Sequence, residues 1–139
     1  MSSAAERWAF RAVVAVAGLV PVGGGLYGIL AGAAAFDGAP GAALDSHVRY
    51  LSGLLLAIGV AFWTTLGRPE RYGPRYRLLT AIVVAGGLAR LYGAVLDGPP
   101  PAPMLFGLAM ELVVTPAVCW WQARIARLRP GLSAPDAPG

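Results

Sequence analysis

The chain has 139 residues, of which 57% are apolar and 13% are charged, with a net charge of +4. Soluble domains carry about 25% charged residues and about 45–50% apolar ones with glycine counted. The apolar share exceeds that range before the 19 glycines are added, which excludes a soluble enzyme, a disordered chain and a disulfide scaffold. A small integral membrane protein remains. With one cysteine, Cys119, and one histidine, His47, neither an intrachain disulfide nor a Cys- or His-rich metal cage can be built. No metal and no cofactor are expected.

A bilayer core of about 30 Å takes about 20 mostly apolar residues per helix. The first span covers about 12–36, with no charge before Asp37. It is longer than the roughly 7–15 residues of a signal-peptide core and reads as a retained helix. The second covers about 48–67, with Asp45 or Ser46 placed to cap it. The third, about 78–96, is interrupted by Arg90 alone, and the fourth, about 104–121, by Glu111 alone. Turn residues at Asp37-Gly38-Ala39-Pro40-Gly41, the stretch 68–77 with Pro69, Gly73 and Pro74, and Asp97-Gly98-Pro99-Pro100-Pro101 separate the spans. The expected fold class is all-α: a four-helix transmembrane bundle, one domain over 1–129, with a disordered tail over 130–139.

The basic residues are all arginine. Arg7, Arg11, Arg68, Arg71, Arg75, Arg77, Arg124, Arg127 and Arg129 fall to one side of these spans, and Asp37, Asp45 and Asp97 to the other. The positive-inside rule then places both termini in the cytoplasm, with the protein in the inner (plasma) membrane. The positive charge reads as a face for anionic lipid headgroups, so membrane lipids are expected partners and nucleic acid is not. Trp120 and Trp121 would anchor the inner interface.

Gly23-Gly24-Gly25-Leu26-Tyr27-Gly28 spells a dinucleotide fingerprint, but that motif needs a strand before it. Inside an apolar span, the spacing Gly24, Gly28, Gly32 reads as a seam for close helix approach. Pro21 and Pro116 are placed to kink the first and fourth helices.

Charged side chains at membrane depth are costly and therefore paired or functional. Arg90 and Glu111 each lie about 10 Å below the outer ends of neighbouring helices at about 1.5 Å per residue. They are expected to pair, as a staple or as part of a site. Tyr27, His47, Arg49, Tyr50 and Tyr92 fall toward the same outer side. Gly86, Arg90, Gly93 and Asp97 form one polar, small-residue stripe, and Gly107, Glu111, Thr115 and Gln122 a comparable one. Arg49 and Arg90 against Glu111 would leave an unbalanced positive charge for an anionic or oxygen-rich head to meet. The other reading has Arg49 snorkelling to the interface and pairing with Asp45 or Asp97. His47 is either an interfacial histidine or a proton donor and acceptor. Cys119 reads as inert packing. The candidate catalytic pair is thus His47 and Glu111, and the candidate ligand-binding residues are Tyr27, Arg49, Tyr50, Arg90 and Tyr92. Leu26-Tyr27-Gly28 before Asp37-Gly38 weakly echoes Leu91-Tyr92-Gly93 before Asp97-Gly98, the mark of a duplicated helical hairpin.

His47-x-Arg49-Tyr50-x-x-Gly53, Arg90, Asp97-Gly98-Pro99 and Glu111 together resemble the bacterial membrane family catalogued as domain of unknown function 4345. The resemblance spans about Arg11 to Arg127 and implies a small four-helix membrane protein, broadly similar to the DoxX-like group. It implies no activity, and it marks His47, Arg49, Arg90 and Glu111 without assigning them roles.

Three function classes remain. The first is a membrane protein whose outer polar pocket binds a small lipophilic molecule, with isomerisation or hydrolysis as the chemistry that would fit. The second is an accessory or structural subunit of a larger membrane complex, or a homo-oligomer. A proton-coupled carrier comes last, since the spans hold one carboxylate. The topology has a direct check: a cysteine introduced at Ala39 or Ala102 should react with an impermeant reagent added outside the cell. A cysteine at Ser133 should not, and its labelling would reverse the orientation.

Overall fold

The computed structural model describes residues 3–36 and 41–128. The turn expected at Asp37–Pro40 and the tail expected at 130–139 lie outside the described residues. Helix α1 is Ser3–Ala31, α2 Ala42–Trp63, α3 Gly73–Asp97, α4 Ala102–Ala109 and α5 Thr115–Arg127. A 3-10 turn, Gly32–Phe36, follows α1, another, Pro69–Arg71, precedes α3, and a π turn, Met110–Val114, joins α4 to α5. No strand occurs among the described residues. Four stretches are long and apolar enough to cross a membrane: Ala4–Ala34, Ala42–Trp63, Gly73–Asp97 and Ala102–Arg127. The fold is all-α with four spanning helices, which marks a membrane protein.

The helices begin before the uncharged runs do, because backbone hydrogen bonding continues through the interfacial layer where charged side chains are tolerated. At the other end, α2 stops at Trp63 rather than near Gly67. The hydroxyls of Thr64 and Thr65 donate to the Ala61 and Phe62 carbonyls at 2.7 and 2.6 Å, competing for the acceptors that a further turn would use. Asp45 does not cap α2. The N-cap is Gly41, and Asp45 reaches back to accept the Ala33 N–H at 3.0 Å.

The chain divides into two compact units, Arg11–Gly67 and Met1–Phe10 with Arg68–Gly139. In the first, α1 and α2 form an antiparallel hairpin. Arg11 donates to the Gly67 carbonyl at 2.6 Å and Trp63 Nε1 to the Ala15 carbonyl at 3.1 Å. Gly18, Gly25, Gly28 and Gly32 are where α2 comes close; a Cβ at Gly25 would lie 2.6 Å from the Leu56 nitrogen. Gly24 is set aside from this seam, since a Cβ there would meet Leu55 at 3.8 Å. A strict four-residue step drifts about 40° round a helix of 3.6 residues per turn, so a contact line must alternate threes and fours. Gly32 also ends α1 with φ +62°, a backbone conformation in which glycine alone avoids strain. Helix α1 runs through Pro21 without a break.

In the second unit α3 runs antiparallel to the α4–π–α5 span. A Cβ at Gly87 would come within 2.8 Å of Leu112 and 2.9 Å of Glu111, so Gly87, not the neighbouring Gly86 of the expected stripe, permits the approach. At the arginine-rich end Phe10 packs on Tyr76 and Trp121 with ring centroids 5.8 and 5.3 Å apart. The buried Gln122 amide donates to the Pro69 carbonyl at 3.0 Å.

The seam is testable. Gly25→Ala should lower the thermal midpoint in detergent, with an overpacking cost of about 1–3 kcal/mol. Gly23→Ala, whose Cβ meets nothing within 4 Å, should leave it unchanged or raise it.

Candidate functional site

Arg90 lies on α3, one turn beyond Gly87, and Glu111 on the π turn opposite. Arg90 Nε donates to Glu111 Oε2 at 3.1 Å and Nη2 to Oε1 at 3.0 Å. The pair is a two-point fork, the geometry that gives a guanidinium and a carboxylate both energy and fixed orientation. Its side chains are 35% and 16% exposed. Nη1 makes no hydrogen bond among the described residues, so one edge of the guanidinium is left without an acceptor there, while the pair as a whole is neutral.

The π turn that carries Glu111 has a local cause in Pro116. Proline has no N–H to continue the α-helical ladder, and its ring collides with the carbonyl four residues before it. One extra residue in the turn ahead relieves that collision. The Thr115 N–H therefore bonds the Met110 carbonyl, five residues back, and the Thr115 hydroxyl reinforces the same acceptor at 2.8 Å. Turns of this kind are rare and recur at functional sites.

Arg49 is committed elsewhere. Its Nε donates to Asp45 Oδ2 at 2.8 Å, and Nη1 bonds the carbonyls of Ile29 and Leu30, the latter at 3.3 Å. Asp45 in turn holds the Ala33 N–H. The two side chains thus close the C-terminal end of α1, satisfying carbonyls and an amide that helix termination leaves exposed. The expected unbalanced positive charge is absent, because Arg49 carries its own carboxylate. Of the two alternatives, pairing with Asp45 is the one observed.

Among the described residues, the remaining candidates make no hydrogen bond to either pair. Tyr27, Tyr50 and Tyr92 are 59%, 63% and 67% exposed, and His47 is exposed as well. Tyr27, His47, Arg49 and Tyr50 belong to the Arg11–Gly67 unit, and Arg90, Tyr92 and Glu111 to the other. Gly93 and Gly107, expected on polar stripes, face open space, as does Gly53 of the second-helix motif. Gly98 keeps a structural role, ending α3 at φ +94° with its N–H on the Ala94 carbonyl at 3.1 Å.

A residue that sequence reasoning passed over is Glu6. It accepts from Trp121 Nε1 and from Arg124 Nε, both at 3.2 Å. An open groove of about 330 Å³ is lined by Glu6, Ala117, Trp120, Trp121 and Arg124. Trp120 is exposed, as an interfacial anchor should be, whereas Trp121 turns inward. The signal for Glu6 was available: it is the one carboxylate before the first span, beside Arg7 and Arg11.

A family model described as a domain of unknown function (DUF4345) matches residues 9–122. No curated protein and no solved structure matches the chain. The match covers α3, the π turn and the whole of α2, and therefore both charge pairs.

Arg90→Gln and Glu111→Gln should each lower the thermal midpoint in detergent. Double-mutant analysis should return a coupling of about 0.5–3 kcal/mol, the range for residues in direct contact. Additive effects would show that the fork contributes nothing to stability.

Proposed function

The chain belongs to the DUF4345 family, and from that premise we propose that it is a membrane protein that binds a small lipophilic molecule at the Arg90–Glu111 pair. The observation that carries this reading is the open edge of a guanidinium whose other two nitrogens are held by Glu111. A polar group oriented by a bidentate partner and left with free N–H donors recognises an oxygen acceptor without first having to be ordered. Glu111 positions Arg90. Both its oxygens are engaged, which argues for binding rather than for acid–base work by this carboxylate. His47, on the other unit, stands outside this reading, as do Tyr27, Tyr50 and Arg49. The arginine distribution supports an inner-membrane location with both termini cytoplasmic, which puts the pair in the outer half of the bilayer.

The accessory-subunit reading stands second and has its own support. Arg49, the arginine of α2, is used up by Asp45 and by main-chain carbonyls, so that hairpin is stapled rather than equipped. Native mass spectrometry of the protein extracted in mild detergent separates the two. One lipophile per chain, lost in Arg90→Gln but kept in Arg49→Gln, is the expected result. A stoichiometric membrane-protein partner with no retained lipophile would favour the accessory role.

A further inference from the structure

The open groove at the arginine-rich end of α5 sets a cation beside an apolar wall. Glu6, Ala117, Trp120, Trp121 and Arg124 line its volume of about 330 Å³. One oxygen of Glu6 accepts from both Trp121 Nε1 and Arg124 Nε, at 3.2 Å each, and so fixes an indole and a guanidinium together. The Glu6 side chain is 12% exposed and that of Arg124 57%: the carboxylate is largely covered and the guanidinium is not. Arg124 Nη1 and Nη2 make no hydrogen bond among the described residues, which leaves their terminal edge as a planar fork for two acceptor oxygens. Ala117, Trp120, Arg124 and Arg127 follow at steps of three and four along α5, and therefore share one helical face. Trp120, Arg124 and Arg127 are all exposed on it. The face passes from apolar to basic toward the end of the span.

We propose that this face of α5 seats one anionic phospholipid, its phosphate on Arg124 and Arg127 and its upper acyl chain along Ala117 and Trp120. Charge selects the head. Two arginines against Glu6 leave a net positive charge, which an anionic phosphodiester neutralises and a zwitterionic headgroup, bringing its own cation, does not. The fork of Arg124 matches two phosphate oxygens. The apolar wall selects a lipid over a free phosphate. Ala117 lies seven residues before Arg124, about 10 Å along the helix, on a stretch long and apolar enough to cross a membrane. A phosphate at Arg124 thus has room for a chain beneath it, with the Trp120 indole at headgroup level between the two. Such a site holds one lipid by geometry, where a basic surface alone attracts many diffusely. It is separate from the Arg90–Glu111 pair and does not depend on it.

The test uses the full chain in nanodiscs of equal parts phosphatidylglycerol and phosphatidylcholine, with native mass spectrometry counting the lipids retained. Wild type should keep one phosphatidylglycerol, about tenfold in preference to phosphatidylcholine, the scale of one hydrogen bond to a charged group. Arg124→Gln should abolish that preference, whereas Arg77→Gln, an exposed arginine of α3 outside the groove lining, should keep it. Glu6→Gln retains an oxygen for Trp121 and Arg124 but removes the opposing charge, and should tighten phosphatidylglycerol severalfold. Trp120→Ala, at an exposed position, should weaken both lipids alike. Arg90→Gln should leave the retained phosphatidylglycerol in place. Equal retention of the two lipids by wild type overturns the site, and so does an Arg77→Gln loss as large as that of Arg124→Gln, which marks diffuse attraction. Displacement of the lipid by excess glycerol phosphate overturns the role of the apolar wall. A dimer or a stoichiometric protein partner carrying no lipid overturns the choice of occupant.

Discussion

A guanidinium inside a lipid-spanning helix must find its counter-charge nearby, and the rest of this structure is arranged around meeting that demand twice. For Arg90 the partner comes from the facing span, so the fork with Glu111 fixes the register of α3 against the π turn. Gly87 lets the backbones close to the distance the fork needs. For Arg49 the partner is one turn away on the same helix, and the surplus donors reach across to the end of α1. The first solution joins helices through a carboxylate. The second joins them through main-chain carbonyls, and so ties the end of one helix to the side of the next.

How far each could be read in advance depended on where the partner sat. Arg90 and Glu111 stood out because each was alone in an apolar run, and adjacent spans must be neighbours. The pairing of Arg49 was harder to weigh. With the second span begun near residue 48, Asp45 counted as a loop residue. With α2 beginning at Ala42, Asp45 and Arg49 are four apart on one helical face and adjacent in space. Glu6 was missed for a similar reason, since it lies ahead of a first span expected to begin near residue 12. Helix α1 in fact starts at Ser3 and carries Glu6 to Trp121 and Arg124.

The π turn was not legible at all. Pro116 announces a disturbance, but a kink, a break and an inserted residue all satisfy its missing N–H equally well. The insertion moves every later residue round the axis by about 100°, so a stripe traced from Gly107 through Glu111 to Gln122 does not survive it. Gln122 ends fully packed against Pro69, away from the pair. The glycine seam failed more mildly. Its residue type and helix were legible, yet the four-residue rule chose Gly24 where the curvature of the contact line chose Gly25.

The separation of contacts along the chain also sets an order of assembly. The ties that close the first hairpin span at most 56 residues, from Arg11 to Gly67, and the others between its helices lie inside that interval. They can form while the third helix is still on the ribosome, since domains and subdomains fold as their segments emerge. The tie between Glu6 and Arg124 spans 118 residues, and so waits for α5 to be released. The N-terminal turn of α1 therefore serves as a latch that closes only after all four spanning helices have emerged.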